Sequence, residues 1–218
     1  MMQRFDPRIR LPKVLTGCFP GALWRLSDDE RQVVLTFDDG PVPEVTHWLL
    51  DLLNREQIKA CFFCVGENVK RYPQIYQRIL DEGHQVGNHT FNHLQGLKTT
   101  NGRYFDNIEK AAGFIQSDLF RPPHGLMRWT QFNEISKNYR VVMWDILTGD
   151  YKPELSPESI VENVLDFVRP GSIITFHDSI KSKQNLMVAL PEIISKLKEQ
   201  KYQFTLLPQP KQEVKIAI

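Results

Sequence analysis

From Gln32 to the C-terminus, short apolar runs alternate with stretches of helical periodicity, and that alternation limits the fold more than any other feature. The runs are QVVLTF, KACFFCV, HQVGN, LFRP, YRVVMWDI, GSIITFH and YQFTLL. They are short, rich in β-branched and aromatic side chains, and bounded by turn formers, as strands are. In EVTHWLLDLLNRE, Val45, Trp48, Leu49, Leu52 and Leu53 recur at i, i+3, i+4, i+7 and i+8 and form one helix face. Ile75, Tyr76, Ile79 and Leu80 make a similar stripe that stops at Gly83. Pro157 and Glu158 open a further helix, whose Ile160, Val161, Val164, Leu165 and Val168 face inward, and Leu186, Leu190, Ile194 and Leu197 line the last one. About seven strands alternating with helices predict parallel pairing through right-handed crossovers, in either a doubly wound sheet or a barrel. No glycine-rich phosphate loop follows the first strand. The expectation is therefore an α/β fold of the barrel kind, with its chemistry at the C-terminal ends of the strands.

Composition narrows the partners. The 218 residues carry 27 Lys and Arg against 26 Asp and Glu, a net charge of +1, which argues against nucleic acid. Residues 1–30 read as a basic N-terminal arm and 31–218 as one catalytic domain. Over residues 1–26, Arg4, Arg8, Arg10, Lys13 and Arg25 stand against Asp6 alone. Such an arm is solvated in most proteins, and contact with an anionic membrane or a lipid-linked glycan is the minority reading. RIRLPKVLTGC ends like a lipoprotein cleavage box at Cys18. However, Arg8, Arg10, Pro12 and Lys13 leave only Val14 and Leu15 before the box, short of the roughly 7–15 apolar residues a signal peptide needs. A cytoplasmic location is the expectation. Cys61 and Cys64 form a C-x-x-C pair, but on a strand their side chains point to opposite faces, so they read as core and not as a metal or redox motif.

Polar residues follow five of the strands. Asp38, Asp39, Gly40 and Pro41 follow VVLTF, and NHTFNH, with His89 and His93, follows HQVG. RPPHG, then Asp145 and Asp150, then His177 and Asp178 follow the next three. At i, i+4, two imidazoles share one face if their segment turns helical, and they can then share one metal, with an aspartate from a neighbouring strand end as third ligand. Adjacent aspartates can divide the work, one binding metal and one free as a base, and Gly40 and Pro41 supply the tight turn that frees them.

These segments, in this order, resemble the polysaccharide deacetylases, the nodulation chitooligosaccharide deacetylase group also called carbohydrate esterase family 4. The resemblance runs from about Val33 to Leu207 and rests on TFDDG, HTFNH, RPPHG, WDILTGDY and TFH. It implies a distorted, incomplete (β/α) barrel and a hydrolase that removes N-acetyl or another small N-acyl group from an amino-sugar oligomer or polymer. By the same resemblance Asp38 is the general base, Asp39, His89 and His93 hold one divalent metal, and Arg121 orients the base. The backbone N–H of His124 meets the oxyanion, Asp150 partners His177, and His177 is the general acid. Zinc is the expected ion, with cobalt or another divalent ion as alternatives.

Pro123, Tyr151 and Thr175 fall where the resemblance implies substrate contacts. The chain departs from the family pattern at three places: His124 for Tyr or Phe, Tyr151 for Trp, and Thr175 for Leu, which makes the expected acyl pocket more polar. The departures bear on the substrate and leave the acid–base groups in place. A lipid-linked or non-sugar amide is the alternative substrate, and a glycan-binding module without catalysis is a lesser alternative. Two histidines and a carboxylate also suit a non-haem iron oxygenase, which would leave the second aspartate and His177 unexplained. His84, beside a turn glycine, and His47, in the first helix, read as structural or surface residues.

Overall fold

The computed structural model describes Asp6 and residues 9–10, 16–27 and 31–208. Arg4, Arg8 and Lys13 of the basic arm lie outside these. The strands are β1 (Gln32–Asp38), β2 (Cys61–Cys64), β3 (Gln85–Asn88), β4 (Leu119–Phe120), β5 (Arg140–Val141), β6 (Ile146–Leu147), β7 (Ser172–His177) and β8 (Gln203–Phe204). The α-helices are α1 (Pro43–Arg55), α2 (Gly66–Arg71), α3 (Pro73–Asp81), α4 (Asn101–Ala112), α5 (Trp129–Ile135), α6 (Pro157–Leu165) and α7 (Lys183–Glu199). Prolines start α1, α3 and α6, and the Ser156 hydroxyl accepts the Ser159 N–H to cap α6.

The strand order is β5-β4-β3-β2-β1-β7-β6, all parallel, with β8 added to the start of β1. β5 and β6 are the two edges, although only residues 142–145 separate them in the chain. Laid flat, seven strands would set those edges about 29 Å apart. The Val141–Ile146 segment reaches about 17 Å at most. The sheet therefore has to curl, and it forms an open half-barrel. YRVVMWDI, expected as one strand, supplies both edges: Val142 N–H donates to Phe120 on one side and Asp145 N–H to Ile173 on the other. One apolar run thus spans the mouth of the sheet.

Side-chain alternation separates two cores. Val33, Leu35, Phe37, Phe62, Cys64, Ile174 and Phe176 pack outward against the helices. Val34, Cys61, Phe63, Leu119, Val142 and Ile173 fill the interior, which Leu23, Leu26 and Leu207 complete. Cys61 and Cys64 thus sit on opposite faces, and burial pushes both thiols up. The N-terminal residues join this body at two points. Leu23 bridges Val142 and Arg25 bridges Ser172. Ile9 accepts the Leu147 N–H at 2.9 Å, while Arg10 lies against Asp145 and the Phe167 ring. Among the described residues, no helix is long and apolar enough to cross a membrane.

Candidate active site

The C-terminal strand ends open on one cleft of about 520 Å³. Asp38, Asp39, His89, His93, His124, Tyr151 and His177 all line it. β1 ends at Asp38, which points inward in phase with Val34 and Thr36. Asp39 then takes φ 84°, a left-handed turn that sends its carboxylate a different way. Asp178 pins this turn: its Oδ1 accepts the Gly40 N–H at 3.0 Å and its Oδ2 the Thr46 hydroxyl at 2.7 Å. A Cβ on residue 40 would lie 1.9 Å from Asp178 Oδ2, so only glycine fits. Burial pushes the Asp178 carboxyl up to about 8; the Thr46 hydrogen bond opposes the rise and the Asp39 charge adds to it.

His89 and His93 converge without a helix. Thr90 and His93 take φ 64° and 57°, and the loop's N–H groups are drawn to side chains. Thr90 N–H donates to Asn88 Oδ1, Phe91 N–H to Asn107 Oδ1 and Leu94 N–H to the Thr90 hydroxyl. Those bonds replace the backbone acceptors a helix would have supplied. The His93 and His89 Nε2 atoms lie 3.2 and 3.8 Å from Asp39 Oδ1. The ligand atoms of the three residues all fall within 4.8 Å of one another.

The donor set fits a divalent cation. Asp39 Oδ1 is buried and makes no hydrogen bond. His89 Nδ1 lies 2.7 Å from the Arg121 carbonyl, which can only accept, so the proton sits on Nδ1 and the Nε2 lone pair faces the cluster. Burial, reinforced by His93, holds His89 well below the usual imidazole range and keeps it neutral, as a ligand must be.

Two ion pairs flank the cluster. Arg121 is fully buried. Its Nη1 donates to Asp38 Oδ1 at 2.7 Å and to the Thr36 hydroxyl at 2.8 Å, its Nε and Nη2 hold the Val142 and Met143 carbonyls, and its guanidinium lies over Phe63. Burial raises the Asp38 carboxyl above its ordinary value, with Arg121 and His177 pulling the other way. On the opposite wall, His177 Nδ1 is 2.8 Å from Asp150 Oδ1, and the His177 N–H donates to Oδ2. Burial opposes charge on His177, but Asp150, helped by Asp39 and Asp38, carries it up to about 9. The Tyr151 ring stands edge-on to His177 at 4.7 Å, and His124, at φ 59°, stands edge-on to His93.

Other residues singled out from the sequence stand apart from the cleft. Thr175 is buried beneath it. Its hydroxyl donates to Thr36, whose own hydrogen goes to the Ile174 carbonyl. Pro123 is buried behind His124. Asp145 faces away from the cleft, towards Arg10, Arg169 and Ser172. His84 is buried and accepts the Ala60 N–H; burial, aided by Lys59, lowers it to about 4. His47 is exposed beside Arg78. Trp144, Leu147, Ser179, Ile180 and Lys181 also line the cleft without having been singled out from the sequence. The signal for the first two was present: they flank Asp145 on the run that crosses from one sheet edge to the other.

A sequence model of the family described as "Polysaccharide deacetylase" matches residues 25–142 of the 218. A peptidoglycan-N-acetylglucosamine deacetylase of Bacillus cereus is 33% identical over 189 residues, covering 83% of this chain and 88% of that protein. A chitooligosaccharide deacetylase of Azorhizobium caulinodans is 33% identical over 169 residues, covering 72% and 79%. The crystal structure of a peptidoglycan N-acetylglucosamine deacetylase in complex with 4-naphthalen-1-yl-N-oxidanyl-benzamide superposes with a TM-score of 0.84 at 33% identity, covering 90% of this chain and 95% of that one. With motif order, half-barrel and sequence likeness in agreement, the chain belongs to the polysaccharide deacetylase family, carbohydrate esterase family 4.

Proposed function

We propose that the chain is a metal-dependent hydrolase that removes N-acetyl, or another small N-acyl group, from an amino-sugar oligomer or polymer. One observation carries this reading: the Asp39–His89–His93 cluster shares a cleft with two separately built acid–base pairs, Asp38–Arg121 and His177–Asp150. Asp39, His89 and His93 would hold the ion, for which zinc is the expected choice. When bound, such an ion supplies Lewis acidity, lowering the pKa of a water to about 7 and polarising the acyl carbonyl.

The chain's own groups do the rest. Arg121 fixes Asp38 through Oδ1, so the other carboxylate oxygen takes the proton of the attacking water. The His124 backbone N–H donates to the acyl oxygen as it gains charge, a contact whose loss typically costs about 3–4 kcal/mol. Asp150 holds His177 protonated and turns its Nε2 to the cleft, where it delivers a proton to the leaving amine. The test is a pair of variants. Asp38→Asn is expected to abolish acetate release from N-acetylglucosamine oligomers while metal content stays near one ion per chain, whereas Asp39→Asn loses the ion. If Asp38→Asn loses metal and keeps turnover, the two aspartates have been assigned in reverse.

A further inference from the structure

The loop after β7 places a cation on the cleft wall that the proposed reaction does not use. Ser182 is fully buried, and its hydroxyl ties the His177 and Ser179 carbonyls together, fixing the turn that carries Ile180 and Lys181. Lys181 lines the cleft, and its ammonium lies over the Tyr151 ring, 5.5 Å from the centroid. Tyr151 in turn stands against His177 at 4.7 Å. Acid, aromatic ring and cation therefore follow one another along one wall, with the ammonium within about 10 Å of the acid's ring.

Among the described residues, Lys181 is the sole lysine or arginine lining the cleft, and no carboxylate pairs with it. Of the two carboxylates lining the cleft, Asp38 is matched by Arg121 and Asp39 belongs to the metal cluster. Lys181 thus leaves an uncompensated positive charge on the wall, within about 10 Å of the His177 ring. We infer that Lys181 selects substrates bearing an anionic substituent, a carboxylate or a phosphate, on the sugar that carries the N-acyl group or on its immediate neighbour. Tyr151 presents an apolar face for the ring between the two charges and keeps the ammonium directed along the wall.

This inference rests on the proposed deacetylase reading. Its test compares three N-acetylglucosamine oligomers of equal length: neutral, carrying a carboxylate-bearing ether, and carrying a phosphate ester. The readout is the ratio of kcat/KM for each anionic oligomer to that for the neutral one, at low salt. Wild type is expected to favour at least one anionic oligomer by about fivefold, the upper range for a partly solvated ion pair. Which arm shows the preference identifies the anion. Lys181→Ala should bring the ratio to about one, Lys181→Glu should invert it, and Lys181→Arg should preserve it; added salt should compress all the differences. A ratio unchanged in Lys181→Ala and Lys181→Glu overturns the inference. Calorimetric binding of the same oligomers to Asp38→Asn and to Asp38→Asn with Lys181→Glu reads the charge preference without turnover. If wild type releases no acetate from any oligomer, the deacetylase reading fails while the binding ratio still judges Lys181.

Discussion

Replacing Arg121 with methionine tests the centre of the proposed machinery, because the side chain is fully buried and all of its bonds are accounted for. The substitution leaves Asp38 buried without its partner at 2.7 Å and removes the donors held by Thr36, Val142 and Met143. Breaking a buried ion pair from one side typically costs about 3–5 kcal/mol. Two stranded carbonyls add about 1 kcal/mol each, but a proton taken up by Asp38 caps the charge penalty. A net loss of about 4–5 kcal/mol follows, large against the roughly 5–15 kcal/mol of an ordinary domain. The sign of the pH dependence is fixed as well. Burial already raises Asp38 against the pull of Arg121, so without the arginine its folded pKa rises further. Between the unfolded value, about 4, and that raised pKa, the folded variant holds a proton the unfolded chain has lost; its stability therefore falls as pH rises through the window. Urea denaturation with chelator present, followed by tryptophan fluorescence at pH 5 and pH 8, should show the variant weaker at pH 8. Adding Asp38→Asn to Arg121→Met should remove this slope and recover about 2–3 kcal/mol at pH 8. Acetate release should fall at least about a hundredfold, the lower range for loss of a general base. A double variant no more stable than Arg121→Met would refute the role of Arg121 as counter-ion to Asp38.

Gly40→Ala forces a Cβ to within 1.9 Å of Asp178 Oδ2, on a carboxylate already bonded to Thr46 and to the residue-40 N–H. It should cost about 3 kcal/mol by overpacking and lower metal affinity through displacement of Asp39, read by thermal melting and metal titration. Asp145 is expected to stabilise the fold at neutral pH and to lose that effect in acid. Burial works against its charge, but hydrogen bonds from Arg169 and Ser172 and the Arg10 charge hold it below the usual carboxylate range. Its contribution is therefore present above about pH 4 and lost as pH falls through the lower folded value. Asp145→Ala should cost about 3 kcal/mol at pH 7, at the low end for a buried pair because Arg169 is 32% exposed, and the difference from wild type should shrink below pH 4.

The chemistry of the site was more legible in the sequence than the backbone that delivers it. Asp38, Asp39, His89, His93, Arg121, Asp150 and His177 stand within motifs whose order and residue types carry the family resemblance, and all of them meet around one cleft except Arg121 and Asp150, which act from behind it. The i, i+4 spacing of His89 and His93 suggested a helix, yet it is satisfied by a loop with two left-handed residues. Periodicity reports which side chains can meet, and more than one backbone path can satisfy the same meeting. Buried Asn88 and the Asn107 amide decide between the paths by capturing the N–H groups, and nothing in the local hydrophobic pattern marks them.

YRVVMWDI shows the same limit at the scale of the sheet. Its residues have strand character throughout, so one strand was the natural reading. It serves both edges because its two halves find different partners, Phe120 and Ile173, which only the curl brings within reach of one short segment. Strand identity is local, whereas pairing depends on how far the whole sheet has curled. The same geometry accounts for Thr175. The family resemblance implies a substrate contact for Thr175, which lies two residues from His177 and in phase with it on the same inner face. In the half-barrel that phase puts it one layer lower, where Thr36 and Thr148 bond to the same strand and Arg121 closes the layer from the far side. The polarity introduced at Thr175 is therefore consumed inside the barrel. Trp144, Leu147, Tyr151 and Lys181 line the cleft itself, and variation among relatives at these positions, more than at residue 175, should track the substrate preferred.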